Sequence, residues 1–356
     1  MTPSRLRWSC LAALPVWIVG TAWLAGTAAA TTFVAETVVT EPVSDTSLAR
    51  DSNGNPHVAY FIGHPAYDLK YAVRLGGVWS SAVVDSGGVF GSGVNLTLDA
   101  TDTPHISYAT DGPWYATQVG GVWAVEQIEA VGVSATTSVV VDAQGQPHVA
   151  YAGSAAGVRH AVKVGGVWQI TVVDSAASWG PSLAIDAAGN AHVGYAYSSG
   201  PLRYAYETTG GWMREAVVET PGSFFDGPSL GLDSQGKPHL AYMANFPDYN
   251  QCYASRQSGI WTHEVVDSTG LVGWYNSLAL TTADEPRIAY TGSGSDLLYA
   301  SRTGTTWSIE TADPVSGTGD YNSLVLDAAD RPHISYRDFP GQRVVYATEA
   351  LPTAVS

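Results

Sequence analysis

One short phrase recurs seven times along the chain. It reads PHVAY at 56–60, PHISY at 104–108, PHVAY at 147–151, AHVGY at 191–195, PHLAY at 238–242, PRIAY at 286–290 and PHISY at 332–336. Its closing tyrosines, Tyr60, Tyr108, Tyr151, Tyr195, Tyr242, Tyr290 and Tyr336, stand 48, 43, 44, 47, 48 and 46 residues apart. A period in the forties carried by short apolar runs is the signature of a β-propeller, and the short spacings within each repeat leave no room for helices. It predicts an all-β chain, a seven-bladed β-propeller with four antiparallel strands per blade.

The first repeat shows the grammar. Ser47 to Asp51 reads as a short strand a, and the Asp51-Ser-Asn-Gly54-Asn55 stretch carries turn chemistry. Pro56 to Ile62 is strand b, with proline at its first position, where no ladder donor is lost. Leu69 to Leu75 is strand c, Gly76-Gly77 a hairpin turn, and Val78 to Asp85 strand d. Strand a ends in Asp51, Asp99, Asp142, Asp186, Asp233 and Asp327, with Thr281 as the exception. Strand c carries Tyr-Ala in six blades and His160-Ala161 in the third. Strand d opens with Trp79, Trp123, Trp168, Trp212, Trp261 and Trp307.

Six tryptophans for seven repeats leave one strand missing. The last repeat stops after its third strand, at Tyr346-Ala347-Thr348, while FVAETVV at 33–39 matches WTHEVVD at 261–267. Phe33 then takes the tryptophan position. The N-terminal strand is expected to complete the last blade and close the ring. Residues 1–30 read as a signal peptide: Arg5 and Arg7, an apolar run from Leu11 to Gly26, then Ala28-Ala29-Ala30. The propeller is expected over 31–349, with 350–356 as a C-terminal tail.

Export would remove Cys10 and leave Cys252 alone, so packing and not a disulfide must hold the ring. The net charge is −16, and charged residues make up 13% of the chain against about 25% in typical domains. Such a chain is a poor partner for nucleic acid or anionic lipid. The expectation is a secreted protein, extracellular or periplasmic, free of the membrane once the signal is removed, and a monomer.

The four-strand repeat with its GGxW hairpins at 76–79, 120–123 and 165–168 resembles the secreted seven-bladed propellers of the sialidase-like, or BNR-repeat, group. That resemblance implies glycan hydrolases, polysaccharide lyases or lectins. The Asp-box S-x-D-x-G-x-x-W occurs in no blade, and the arginines are scattered, so no catalytic residue carries over.

The recurrent histidines, His57, His105, His148, His192, His239 and His333, stand on strand b, about one strand outward from the axis. Equivalent strand-b positions are then on the order of 10 Å apart, given strands about 4.8 Å apart. A metal ligand must sit about 2 Å from the ion. Each histidine is expected to satisfy a buried polar partner, and no metal or cofactor is expected. Only the turn at 51–55 approaches a calcium loop, and turn chemistry explains it.

Aromatic residues that the repeat does not need fall on the b–c and d–a loops, at one end of the blades, together with acids. The expected ligand-binding residues are Trp114, Trp179, Phe225, Phe246, Tyr249, Trp274, Tyr275, Tyr321, Phe339, Asp320 and Asp338. Aromatic planes beside carboxylates suit sugar rings. The leading expectation is a non-catalytic recognition propeller for an extracellular glycan. One alternative is a polysaccharide-active enzyme, with Asp320 and Asp338 as the carboxylate pair of a hydrolase, or His64, Tyr67 and Arg343 serving a lyase. The other is a scaffold for a protein ligand. Seven equivalent sites would favour a lectin, and a single deep pocket with convergent ionisable groups an enzyme.

Overall fold

The computed structural model describes residues 32–86, 91–132, 136–153, 157–176, 178–197, 201–218, 227–244 and 249–350. Within them lie seven four-stranded antiparallel sheets and no helix. The proposed signal peptide and residues 351–356 lie outside the described residues, as do Phe225 and Phe246. Blade 1 comprises Val43–Arg50, Pro56–Ile62, Leu69–Leu75 and Val78–Asp85, from the axis outward. Its strand a begins four residues before the boundary read from the sequence. Those extra residues matter, because they and their counterparts line the axis.

The a–b turns follow from the strand-terminal acids. Asp51 Oδ1 accepts the backbone N–H groups of Asn53 and Asn55 at 3.0 and 2.7 Å. The same pattern recurs at Asp99, Asp142, Asp186, Asp233 and Asp327. Thr281 does the work with its hydroxyl, which accepts the N–H of Glu285 at 3.0 Å. The left-handed residue of the turn is Gly54 in blade 1 but Asp102, Asp284 and Asp330 in blades 2, 6 and 7. These aspartates use the position to accept Ser52, Ser234 and Thr282 from the preceding blade.

The strand-b histidines are buried between two partners on their own blade. Nδ1 meets a strand-c tyrosine hydroxyl, as His105 does with Tyr115 at 2.5 Å, while Nε2 faces the turn aspartate, Asp99 at 3.3 Å. Blade 3 replaces the tyrosine with His160, and the two imidazoles meet at 2.9 Å. Among the described residues no three His, Cys, Asp or Glu side chains gather as a metal site requires.

Seven apolar clusters fill the seven interfaces between blades. At each interface the strand-c ring meets the strand-d aromatic of the next blade edge-on. Tyr71–Trp123 and Tyr115–Trp168 have centroids 5.2 Å apart, His160–Trp212 5.6 Å, Tyr204–Trp261 5.4 Å and Tyr253–Trp307 5.5 Å. Tyr346–Trp79 and Tyr299–Phe33, at 5.8 and 5.6 Å, complete the set. Phe33 therefore stands in for the seventh tryptophan. Phe33–Val39 pairs with Arg343–Glu349 in a register running from Phe33↔Glu349 to Val39↔Val344, which closes the ring.

Candidate binding site at the axial mouth

Around the axis runs a belt that sequence reading missed. Ser47, Asn95, Ser138, Ser182, Ser229, Ser277 and Ser323 occupy one equivalent strand-a position. Each side-chain oxygen accepts the backbone N–H of the next blade's strand a. The accepting pairs run from Ser47 to Leu96 and so on round the ring until Ser323 takes Leu48, all at 2.8–3.1 Å. The signal was present: a Ser or Asn stands four residues before each turn acid or Thr281.

Toward the d–a loop end of this belt the strands open into an axial cavity of about 470 Å³. The position two residues before the belt is Asp45, Gly93, Thr136, Gly180, Gly227, Tyr275 or Tyr321, blade by blade. Pairing with strand b breaks here in blades 2, 4, 6 and 7, as a β-bulge. In blades 2 and 4 the bulge holds Gly93 and Gly180 at φ 62° and 56°. In blades 6 and 7 the same left-handed conformation is occupied by Tyr275 and Tyr321, at φ 52° and 51°. A bulky side chain there is an outlier that a glycine would relieve. The two tyrosine rings lie against each other, centroids 4.3 Å apart, and both line the cavity with Trp179, which is 43% exposed.

The next residues in blades 6 and 7 are Asn276 and Asn322, which also line the cavity. Their amide N–H groups donate to Gly273 O at 3.3 Å and Gly319 O at 3.0 Å. Both Oδ1 atoms are buried and accept no hydrogen bond from the protein. Asp45 completes the wall. Its Oδ2 accepts the N–H of Val94 at 3.0 Å, yet burial pushes its carboxyl up to about 7 against the pull of backbone N–H groups and Arg337. Burial likewise raises Asp320, again opposed by Arg337. The Arg337 guanidinium lies 4.6 Å over the Phe339 ring and 5.9 Å from that of Tyr321. In other blades its position, directly after the phrase tyrosine, holds Phe, Ala, Met or Thr.

A second cavity of about 250 Å³ adjoins the first at Tyr275 and is lined by Trp274, Thr291, Ser293 and Asp320 among others. The structure thus brings Trp179, Tyr275 and Tyr321 to one cavity and Trp274, Tyr275 and Asp320 to the other. It brings the remaining described residues to neither. Trp114 packs against the blade 1–2 core, stacked on Tyr108, and donates to Asp111 at 2.9 Å. Tyr249 sits in a left-handed turn, and its carbonyl accepts Val272 N–H at 3.1 Å. Phe339 is 60% exposed outside both linings. Asp338 is buried and held by Arg343 Nε at 2.6 Å and Gly341 N–H at 2.8 Å.

The carboxylate pairing of Asp320 with Asp338 therefore fails on geometry. Asp320 is in register with Arg337, and successive residues of a strand point to opposite faces, so Asp338 looks away. Arg343 pairs with Asp338 and lines neither cavity. Asp45, Asn276, Asn322 and Arg337 are the residues that sequence reading missed.

No protein-family model and no curated protein sequence matches this chain. Solved structures do resemble it in fold. A mutant of Aleuria aurantia lectin in complex with Fucα1-6GlcNAc matches with a TM-score of 0.54 at 15% identity, over 79% of this chain and 98% of the lectin. AofleA from Arthrobotrys oligospora matches at 0.53 and 13%, over 80% and 90%. An ulvan lyase of family PL25, bound to -[GlcA(1-4)Rha3S]-, matches at 0.59 and 12%, over 88% and 95%. At these identities the likeness is one of fold, and membership of the BNR-repeat group finds no family match.

Proposed function

We propose that this chain is an exported, non-catalytic recognition propeller that binds carbohydrate in the axial mouth. The observation that carries the reading is the pair of buried amide oxygens, Asn276 Oδ1 and Asn322 Oδ1, on the residues that follow the Tyr275–Tyr321 ring pair. A buried acceptor without a donor costs about 1–3 kcal/mol. A sugar supplies hydroxyl donors for those oxygens and an apolar ring face for the tyrosines and Trp179. The axial volume falls in the roughly 300–1,000 Å³ range of ligand pockets. Two similar folds, a lectin and a lyase, hold glycans in their solved structures, which supports the reading. The site is one asymmetric mouth and not seven equivalent ones. That shape and the raised carboxyl of Asp45 are what favour the enzymatic alternative.

A glycan array probed with the mature chain, run beside polysaccharide turnover assays, tests this. The expected outcome is saturable binding without turnover. Trp179→Ala and Asn322→Ala should each weaken the best array hit about tenfold or more, a loss near 1.4 kcal/mol. Val78→Ser, on a c–d hairpin at the other end of the blade, should leave affinity unchanged. Turnover of a glycan, or affinity indifferent to both mouth substitutions, would overturn the proposal.

A further inference from the structure

Resting on that reading, we infer that the ligand is an oligosaccharide of uncharged sugars, at least two rings long, laid across Tyr275. Two observations carry this. The first is spatial. The cavity lined by Trp274 and Asp320 holds about 250 Å³, below the roughly 300 Å³ at which ligand pockets begin, so it makes a poor site alone. Both cavities are lined by Tyr275, so a chain long enough to cross that one side chain reaches both. One ring contacts the Tyr275–Tyr321 pair and Trp179, and the next occupies the neighbouring cavity beside Trp274.

The second observation is chemical. Among the described residues, no Lys, Arg or His lines either cavity. Beside the Ser, Thr and Tyr hydroxyls, the acceptors in the linings include Asn276 Oδ1, Asn322 Oδ1, Asp45 and Asp320. One N–H of each asparagine amide donates to Gly273 O or Gly319 O, which assigns the other atom of each amide as the oxygen, an acceptor that the protein leaves unfilled. The nearest cation, Arg337, stacks on Phe339 and is in register with Asp320. A uronate or sulfate would find no lining cation to receive its charge. An ammonium would need both carboxyls ionised, yet burial raises both toward the neutral form. A hydroxyl-rich, uncharged sugar supplies the missing donors and no charge.

The test is titration of the mature chain with oligosaccharide series of one to four rings, in neutral, uronate, sulfated and amino-sugar forms, for the linkage that scores best on the array. Neutral oligomers should bind best. Affinity should rise about tenfold from one ring to two or three. Ser293→Trp, which fills the second cavity from its exposed rim, and Trp274→Ala should both collapse that length dependence, while thermal melting of each variant checks the fold. Stronger binding of any charged series overturns the charge argument. Equal affinity for one ring and three, or length dependence that survives Ser293→Trp, overturns the two-cavity arrangement. In both cases glycan binding itself stands. Absence of binding to every glycan removes the proposed function and this inference with it.

Discussion

Tyr275 and Tyr321 are held where the equivalent residues of blades 2 and 4 are glycine. A left-handed conformation of this kind costs about 1–3 kcal/mol per residue and persists where the surroundings enforce it. The contact between the rings offsets part of that cost. Asp45, on the blade next to that of Tyr321, makes a separate prediction. Its folded-state value is raised to about 7 from 3.8, so the folded chain holds this proton more tightly than the unfolded chain. Stability from Asp45 is therefore full below about pH 4 and is lost as pH rises through about 7. Asp45→Asn keeps an oxygen for Val94 N–H and cannot ionise. Its melting temperature should exceed that of the native chain by several degrees near pH 8 and match it near pH 4. A gap that does not change with pH would show that this carboxyl is not a cost to the fold. The histidines act in the opposite sense. Burial lowers His57, His105, His192 and His239, and takes His160 to about 3 and His333 to about 4. They remove stability as pH falls below about 6.5, where the unfolded chain takes up protons first.

The inner strand is the element that does two jobs. Its lower half carries the belt oxygens and its upper half the bulge that forms the mouth. Because each belt oxygen takes an N–H from the neighbouring blade, blades are pinned without continuous sheet. Ser182→Ala leaves Leu230 N–H without its acceptor and should cost about 1–3 kcal/mol, read as a lower urea midpoint with an unchanged slope. An unaltered midpoint would mean that the belt does not contribute to stability. The outer strand has its own device. Glu36, Glu126, Glu215 and Glu264 each bridge a strand-c base and the strand-d tryptophan of the next blade, as Glu215 does with Arg256 and Trp261. Blade 1 has Ala82 at that place, and blade 2 has Gln118 where the base would stand. These pairs are half exposed, and each contributes about 0–1 kcal/mol.

At the scale of the whole ring, closure by Phe33–Val39 is the device that replaces a disulfide. Removing residues 31–40 strips an edge strand from the last blade, takes Phe33 from Tyr299 and removes Glu36 from Arg74 and Trp79. The melting temperature should fall sharply, by more than the several degrees expected of single substitutions, since two interfaces lose their outer aromatic or acid. A truncated chain that melts with the intact one would sink the closure argument.

The seven blades, the strand order and the closing strand were legible in the sequence, because each rests on local signals repeated in register. Turn acids with Gly or Asp, proline at a strand start and a strand-d aromatic act within a few residues of themselves. The end of the ring that carries the mouth was legible too, through aromatics that the repeat does not need. The site itself was not. Asp45 and Tyr321 are 276 residues apart in number and become neighbours only because the last blade docks on the first. Trp114 and Trp179 read alike as surplus aromatics, yet one packs on a core and the other faces the axis. Whether an asparagine oxygen is satisfied depends on which carbonyl captures its N–H, and Gly273 and Gly319 settle that only in three dimensions. Local chemistry is repeated in every blade and can be read from one; the axial mouth is made from what differs between blades, and only ring closure decides which differences meet.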